Sequence, residues 1–409
     1  MIEILFKKYQ YILKKIENVH YKRYFFKIVD FNERLIGIVG ARGIGKTTFL
    51  LQYLNGLNLK EHQKLYFSVD SIIASDTSLF EIAESFSLSG GKVLVIDEIH
   101  KYKNFEIELK EIYDFLDIQV VFSGSSAIVL EHKKADLSRR ATIYRVKGLS
   151  FREFLELRLD TKFNSYTLED ILQNHIDIAK SISQKIKPIK HFKEYLKVGV
   201  YPFYFETPNT YYSKLEETIN TVIESDLPIV FNIEPSNISK LKKLVYYVCT
   251  TKPYELNLTS LAKKIGIDRK TLYQYIHYLT LGDILLKVLP KAKGDSIFTK
   301  PSKLYLNNSN LNYAYCDLLD IGTIREEFFA FQLNRFYEIK YPKQGDFLVD
   351  NKYTFEIGGK SKGFEQIKDL ANSFVVSDDI EIGFGNKIPL WLFGFLYWFC
   401  EFTNLCYTV

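Results

Sequence analysis

The chain has 409 residues, of which 47% are hydrophobic and 25% charged, so it has the composition of an ordinary globular protein and not of a disordered or fibrous one. This length exceeds that of one common domain, and we expect two or three domains. The formal net charge of +5 permits contact with nucleic acid but does not require it. The N-terminus is charged from its third residue, which does not fit a signal peptide.

The cysteines and the most apolar run of the sequence indicate in which cellular compartment the protein is expected. Cys249, Cys316, Cys400 and Cys406 show no metal-ligand spacing, so we predict reduced thiols and a cytoplasmic protein. Residues 388–400 are strongly apolar but fall short of the roughly 20 residues that span a bilayer. We therefore predict a buried strand and helix there, with a docking surface as the alternative, and no membrane partner.

Residues 35–54 predict a strand, a glycine-rich loop and a helix in succession. The loop fits the P-loop pattern Gly-x-x-x-x-Gly-Lys-Thr, whose backbone amides surround the phosphates of a nucleotide. Lys46 is placed to reach the β- and γ-phosphates, and the Thr47 hydroxyl to bind Mg²⁺. The predicted nucleotide-binding residues are Gly40, Ala41, Arg42, Gly43, Ile44, Gly45, Lys46, Thr47 and Thr48.

A second apolar strand, residues 92–96, ends in the carboxylate pair Asp97-Glu98 and resembles a Walker B segment. At the carboxyl edge of a parallel sheet, Asp97 would hold Mg²⁺ and Glu98 would polarise the attacking water. By itself such a pair is often a solvated strand end. Together with the P-loop it favours hydrolysis over binding alone.

Strands predicted at residues 64–69, 119–123 and 143–146 alternate with helices. This alternation predicts an α/β fold with a three-layer parallel sheet. One strand would lie between the P-loop strand and the Asp-Glu strand, as in the additional-strand NTPases that include the AAA+ class.

Two further sets of residues are candidates for the catalytic machinery. Ser123 or Ser125 stands where a γ-phosphate sensor is found in that class, with an ordinary strand-end turn as the alternative. Arg139 or Arg140 is a candidate arginine finger for a neighbouring subunit in a homo-oligomer, and a solvated basic loop is the alternative.

Helical patterns replace the alternation from residue 149 and predict a helical lid over about 151–250, in which Glu224 and Asp226 are expected to be solvated. Residues 258–279 have the layout of a helix-turn-helix, and 288–303 are a candidate β-wing. Candidate contacts with the phosphates of double-stranded DNA are Lys263, Lys264, Arg269 and Lys270, with Tyr273 and Gln274 facing outward beside them. Winged helices also bind proteins, so both kinds of partner stay open.

The C-terminal region predicts an α+β domain that resembles the PD-(D/E)xK nuclease core. Asp346 is followed ten residues later by Glu356, and Glu326 lies on a preceding helix. Lys360 stands four residues after Glu356, beyond two glycines, where the nuclease pattern places a lysine two residues on. We therefore predict a degenerate site with structural or binding duties rather than an active nuclease.

Five segments, residues 40–48, 96–100, 122–126, 149–154 and 345–397, make the chain similar to prokaryotic AAA-family ATPases with a C-terminal DUF4143 module. The resemblance implies ATP as the nucleotide, a winged helix and a nuclease-like fold. With the patterns above, it suggests an ATPase core at 1–150, a lid at 151–250, a winged helix at 251–310 and a nuclease-like domain at 311–409.

Two functions follow as expectations. The first is a Mg²⁺-dependent ATPase that acts on or near DNA through its winged helix. The second is a nucleotide-controlled switch of the STAND type, which recruits protein partners while its nuclease-like fold is inactive.

Overall fold

The structure is a computed structural model that describes residues 2–71, 77–124, 137, 139–253, 257–291 and 300–397. The chain forms two compact units. The first comprises Met1–Gly148 together with Ser225–Asn232, and the second comprises Leu149–Glu224 together with Ile233–Val409. The chain thus leaves the first unit, returns to it for one short segment, and leaves again.

The helices and strands are numbered here in chain order. The α-helices are α1 (Ile2–Ile16), α2 (Lys46–Gly56), α3 (Leu79–Leu88), α4 (Phe105–Phe115), α5 (Phe151–Leu159), α6 (Leu168–Ser183), α7 (Pro188–Val198), α8 (Tyr211–Thr221), α9 (Leu227–Phe231), α10 (Pro235–Thr250), α11 (Leu258–Ile265), α12 (Arg269–Leu281), α13 (Ser309–Tyr315) and α14 (Ile321–Leu333). The strands are β1 (Leu35–Val39), β2 (Lys64–Ser68), β3 (Val93–Asp97), β4 (Gln119–Gly124), β5 (Thr142–Arg145), β6 (Leu285–Pro290), β7 (Lys303–Leu306), β8 (Ile339–Tyr341), β9 (Phe347–Val349), β10 (Tyr353–Gly358), β11 (Ser373–Ser377) and β12 (Lys387–Pro389).

The first unit is built on a five-stranded parallel sheet with the order β2-β3-β4-β1-β5. Every residue of β1 and β3 is buried, as expected of central strands whose two faces are both covered. Strand β4 pairs with both of them and lies between them. This confirms the predicted α/β class and its additional strand.

The second unit contains a seven-stranded mixed sheet with the order β12-β11-β10-β9-β8-β6-β7. The antiparallel hairpin of β6 and β7 overlaps the ends of the segment predicted as a wing, 288–303, of which residues 292–299 lie outside the described residues. Strand β6 also pairs in parallel with β8, where Leu289 lies opposite Lys340. The hairpin and the strands of the C-terminal region therefore form one continuous sheet.

The segment between residues 151 and 250 is helical, from α5 to α10. The predicted helix-turn-helix corresponds to α11 and α12, between which Gly266 adopts the left-handed conformation with φ 79°. Asp268 caps α12, since its carboxylate accepts a hydrogen bond from the Thr271 amide at 3.0 Å.

The core of the second unit is rich in aromatic side chains. The ring of Phe329 on α14 lies 5.0 Å from that of Phe355 and 4.9 Å from that of Phe393, measured between centroids. The last described apolar run consists of β12 and a 3-10 helix, Leu390–Phe395, all of it buried. This confirms the predicted burial for residues 388–395, while residues 398–400 of the run lie outside the described part of the chain. No described helix is long and apolar enough to cross a membrane.

Cys249 and Cys316 form a disulfide, with their Cα atoms 5.4 Å apart. The prediction of reduced thiols is therefore wrong for this pair. The two cysteines are 67 residues apart in sequence, and only the fold brings the end of α10 next to the residue that follows α13. The argument for a cytoplasmic location from these thiols loses its support. Cys400 and Cys406 lie outside the described residues.

Candidate functional site

The glycine-rich loop joins β1 to α2 at the carboxyl edge of the five-stranded sheet. Gly43 and Gly45 have φ angles of 81° and 91°, a region that other residues rarely adopt. At Gly40 a Cβ atom would lie only 2.3 Å from the carbonyl oxygen of Val146, so this backbone approach requires glycine. The loop thus has the tight curvature that directs backbone amides and the start of α2 at an anion.

Lys46 is buried at the start of α2 and lies over the loop. Its Nζ donates hydrogen bonds to the carbonyl oxygens of Gly40 at 3.0 Å and Ala41 at 2.9 Å. A phosphate oxygen bound in the loop would be a stronger, charged acceptor for the same ammonium group. The side chain is therefore within reach of the position where the sequence predicts the phosphates.

Asp97, at the end of β3, gathers three hydroxyl groups around its carboxylate. Thr47 Oγ1 donates to Asp97 Oδ2 at 2.6 Å, and the Tyr66 hydroxyl donates to the same oxygen at 2.8 Å. Ser123 Oγ, at the end of β4, donates to Asp97 Oδ1. Burial and the Asp97 charge raise the pKa of Tyr66, which keeps its hydroxyl protonated as a donor.

This donor set suits Mg²⁺. The Thr47 hydroxyl and the Asp97 carboxylate are hard oxygen ligands and lie together, as predicted. Within the described ranges, no group of three or more His, Cys, Asp or Glu residues could hold a metal ion. In nucleotide sites, one or two protein ligands of Mg²⁺ are completed by phosphate and water.

Glu98 has an uncommon backbone conformation for a residue with a side chain, with φ 56° and ψ 35°. Such strain costs about 1–3 kcal/mol and is found mostly at functional sites. The Glu98 amide donates to Asp97 Oδ1 at 3.0 Å and to Ser123 Oγ at 3.2 Å, which fixes the turn. Its Oε2 is buried and has no hydrogen-bond partner.

The surroundings of Glu98 are rich in positive charge. Glu98 Oε2 lies 3.7 Å from His100 Nε2 and 3.6 Å from Lys101 Nζ. Burial lowers the pKa of His100 to about 3, and the charges of Lys46, Lys101 and Arg42 act in the same direction. His100 is therefore neutral, and the positive charge comes from the lysines and the arginine.

The candidate sensor and finger residues differ in their positions. Ser123 lies within the site, where it contacts both Asp97 and Glu98, whereas Ser125 lies outside the described residues. Arg140 forms a bidentate pair with Asp114 of α4, with its Nε and Nη2 atoms 2.9 and 3.0 Å from the carboxylate oxygens. Arg139 is exposed. A finger role for Arg140 would require this pair to break.

The sequence did not reveal the contact that the returning segment, residues 225–232, makes with the P-loop. Arg42 Nη2 lies 3.4 Å from Asp226 Oδ1. Asp226 is only 6% exposed, so the prediction that it is solvated is wrong. Burial raises the pKa of Asp226, while the charges of Arg42, Lys101 and Lys46 act to lower it. A π-helical turn brings this side chain inward, and periodicity does not show such a turn.

In the second unit, the carboxylates that resemble a nuclease core surround a buried lysine. Lys303 Nζ, on β7, lies 2.7 Å from Glu326 Oε2 and 2.8 Å from Asp346 Oδ1. The Tyr305 hydroxyl also donates to Glu326 Oε2. Burial acts to lower the pKa of Lys303, but the two carboxylates raise it, so the ammonium group stays charged between them.

Glu356, on β10, is paired with a different lysine from the one that we expected. Lys362 Nζ contacts Glu356 Oε1, whereas Lys360 is exposed. Strand β10 ends at Gly358, and the chain turns so that Lys362 returns to the carboxylate. The choice of Lys360 is therefore corrected to Lys362, because the reversal of the chain after the glycines decides which lysine can reach.

The candidate DNA contacts Lys263, Lys264, Arg269 and Lys270 are all exposed on α11 and α12. Arg269 Nη2 donates to the Tyr273 hydroxyl at 3.2 Å. Tyr273 is buried, so the prediction that it faces outward is wrong, and Gln274 is half-buried. Helix α12 therefore exposes Arg269 and Lys270 in its first turn, and Tyr273 packs into the interior.

The P-loop, the Asp97-Glu98 pair and the strand order together define the first unit as a P-loop nucleotide-binding domain. Residues 32–155 match the family described as an AAA domain, which agrees with this class. Residues 189–321 match a domain of unknown function, DUF8612. This second match is to a different family from the DUF4143 module that the resemblance implied.

The chain is also similar to individual proteins. Uncharacterized protein MJ1637 of Methanocaldococcus jannaschii is 28% identical over 402 residues, which cover 89% of this chain and 85% of the relative. Solved structures that it matches include the Hsp104–ADP complex of S. cerevisiae, with a TM-score of 0.28, 14% identity and coverage of 67% of this chain and 38% of that one. AMPPCP-bound DnaA from Aquifex aeolicus matches with a TM-score of 0.25, 15% identity and coverage of 60% of this chain and 81% of that one. PCH-2 of C. elegans matches with a TM-score of 0.24, 14% identity and coverage of 59% of this chain and 61% of that one. The chain thus spans less than half of the Hsp104 chain that it matches.

Proposed function

We propose that this protein is a Mg²⁺-dependent AAA-type ATPase that binds and hydrolyses ATP. The main support is the arrangement around Asp97, whose carboxylate accepts hydrogen bonds from Thr47 and Ser123. Directly beside it stands Glu98, with one oxygen that has no hydrogen-bond partner. A P-loop used only for binding would not need a proton acceptor at this point.

The roles of the residues follow from their positions. The Lys46 ammonium exchanges its contacts with two loop carbonyls for the β- and γ-phosphate oxygens. The Thr47 hydroxyl and the Asp97 carboxylate would hold Mg²⁺, which would neutralise charge on the phosphate oxygens. Glu98 orients a water molecule and accepts its proton as the water oxygen bonds to the γ-phosphorus and the bond to the ADP oxygen breaks.

Phosphate release from ATP tests this proposal. The wild type is expected to release phosphate with Mg²⁺ and to stop in excess EDTA. Lys46→Ala should lower the rate by about 100-fold or more, because it removes a charged group that contacts the transferred phosphate. The control variant Lys110→Ala changes an exposed lysine of α4 and should keep the wild-type rate. Equal rates in the wild type and Lys46→Ala would contradict the proposal.

We further propose that the ATPase acts on or near double-stranded DNA. The support is the group of four exposed basic side chains on α11 and α12, in a helix-turn-helix layout followed by the β6–β7 hairpin. Exposed lysines and arginines on such helices contact DNA phosphates, and the affinity then depends on salt.

A salt titration of duplex binding tests this second proposal. Replacing Arg269 and Lys270 together by alanine should weaken binding. It should also reduce the magnitude of the negative slope of log affinity against log salt concentration by about 2, which is roughly one unit per phosphate contact. The matched control replaces Lys180 and Lys185, two exposed lysines near the end of α6, and should leave the slope unchanged. If duplex binding does not depend on salt, or if it is unchanged when Arg269 and Lys270 are replaced, α12 does not contact DNA phosphates in the proposed way.

The alternative is a nucleotide-controlled switch of the STAND type whose nuclease-like fold is inactive. Its support is Lys303, whose ammonium group lies between Glu326 and Asp346, where a nuclease would hold a cation. Mg²⁺-dependent cutting of a duplex or single strand that Glu356→Gln abolishes would contradict the inactive assignment.

Sizing the protein with and without DNA and a non-hydrolysable ATP analogue separates the two functions, because a finger at Arg139 or Arg140 acts only in an assembly.

A further inference from the structure

The segment 225–232 returns to the first unit from chain that belongs to the second unit on both sides. Helix α8 continues into a π-helical turn, Val222–Asp226, and such turns are frequent at functional sites. Leu227 anchors the segment, since it is fully buried. Asp226 precedes α9 but makes no capping hydrogen bond to it, so its carboxylate is not used to stabilise that helix.

The Asp226 carboxylate is directed at the P-loop instead. Its Oδ1 lies 3.4 Å from Arg42 Nη2, which is a long contact for an ion pair. The other carboxylate oxygen and the Nε of Arg42 are both buried without a hydrogen-bond partner. A buried carboxylate normally has its oxygens paired, so this one is held in a polar environment that leaves it incompletely satisfied.

The charged groups that act on Asp226 are Arg42, Lys101 and Lys46, all in the first unit. Arg42 and Lys46 belong to the P-loop itself, and Lys101 contacts Glu98. These are the cations available to balance the charge of a triphosphate. A carboxylate and a phosphate that draw on the same cations repel each other strongly in a partly buried site.

We propose that Asp226 is an intramolecular competitor of the nucleotide phosphates: in the nucleotide-free protein its carboxylate pairs with Arg42 of the P-loop, and bound nucleotide displaces it from this arginine. The inference rests on nucleotide binding by the P-loop, as in the proposed function, but not on hydrolysis. The conformation of the segment 225–232 would therefore depend on whether the P-loop holds a nucleotide. Because linkage is reciprocal, an interaction that nucleotide must break also lowers the affinity for nucleotide.

The direction of the change in nucleotide affinity distinguishes a competitor role of Asp226 from a purely structural role. Asp226→Asn keeps the shape of the side chain and removes its charge, so it should tighten the binding of ADP and of a non-hydrolysable ATP analogue with Mg²⁺ by about tenfold. Asp226→Ala should also tighten binding. The matched control is Glu224→Gln, two residues earlier, where the carboxylate is half-exposed and pairs with Lys242. Damage to the fold would weaken binding, which is the opposite result.

Isothermal titration of the full chain gives these affinities, and hydrogen exchange gives a second readout. In the wild type, the analogue should make the backbone amides of residues 225–232 exchange faster. Binding that is unchanged or weaker in both Asp226 variants, or exchange in this segment that does not respond to the analogue, overturns the inference. A wild type that binds the analogue but releases no phosphate would instead contradict the proposed ATPase activity and leave this comparison intact.

Discussion

Replacing Glu98 by glutamine is expected to slow phosphate release about 100- to 1,000-fold while ATP still binds. Glutamine has nearly the same shape but cannot accept the proton of the attacking water. Glu98 Oε2 has no hydrogen-bond partner, and its ion-pair contact with Lys101 Nζ is long, at 3.6 Å, and partly exposed, so the substitution removes little stabilising interaction at that atom. The loss should therefore appear in the rate of the chemical step and not in the stability of the first unit.

The contrast with Lys46→Ala sharpens this experiment. Lys46 is expected to contribute to binding as well as to the reaction, whereas Glu98 contributes only to the reaction. Nucleotide affinity measured by titration should thus fall in Lys46→Ala and stay near the wild-type value in Glu98→Gln. Glu111→Gln, which changes an exposed glutamate of α4, serves as the control for both. A Glu98→Gln variant that keeps the wild-type rate would show that another group, or water alone, accepts the proton.

Replacing Glu327 by glutamine is expected to stabilise the second unit at neutral and alkaline pH, by about 3 kcal/mol at pH 7. Glu327 lies on α14, is 1% exposed, and accepts a hydrogen bond from the Asn312 side chain. Burial raises the pKa of Glu327 from its ordinary value near 4.5 to about 8. Glutamine can occupy the same volume and accept the same bond without ever being ionised.

The sign of the pH dependence follows from proton binding. Between pH 4.5 and about 8 the folded protein keeps a proton on Glu327 that the unfolded chain has released, so this group makes the free energy of unfolding fall as pH rises through that window. Below pH 4.5 both states hold the proton and the difference between wild type and Glu327→Gln should vanish. Thermal unfolding from pH 4 to 9 measures it, with the exposed Glu365→Gln as control. A Glu327→Gln variant that is less stable at pH 8 than the wild type would mean that the charged form is needed.

Local patterns were enough to predict the parallel sheet and the P-loop of the first unit. The P-loop, the strand that ends in Asp97 and Glu98, and the strand that ends at Ser123 each carry their information within about ten consecutive residues. The order of the strands then follows from the few arrangements that parallel sheets with short connections allow. For this reason the meeting of Thr47 and Asp97 could be anticipated before any coordinates, whereas Ser123 was one of two candidate sensors.

Contacts between distant parts of the chain could not be predicted in this way. Tyr66 reaches Asp97 from a neighbouring strand, and nothing in its local sequence distinguishes it from a core tyrosine. Asp226 reaches Arg42 across 184 positions through a π-helical turn that has no sequence signature. Pairing of the cysteines and the choice of Lys362 over Lys360 likewise depend on chain reversals, which periodicity does not encode.

The continuous sheet of the second unit limits how this protein can be divided for experiments. A fragment that ends near residue 310 would contain the helix-turn-helix and its hairpin, but it would lack β8, which pairs with β6. The uncovered edge of β6 would then be open to pairing with other chains. The same cut would remove Glu326 and Asp346 and leave the buried ammonium group of Lys303 without its two counter-charges. A DNA-binding fragment of this kind should aggregate, so binding is best measured on the whole chain.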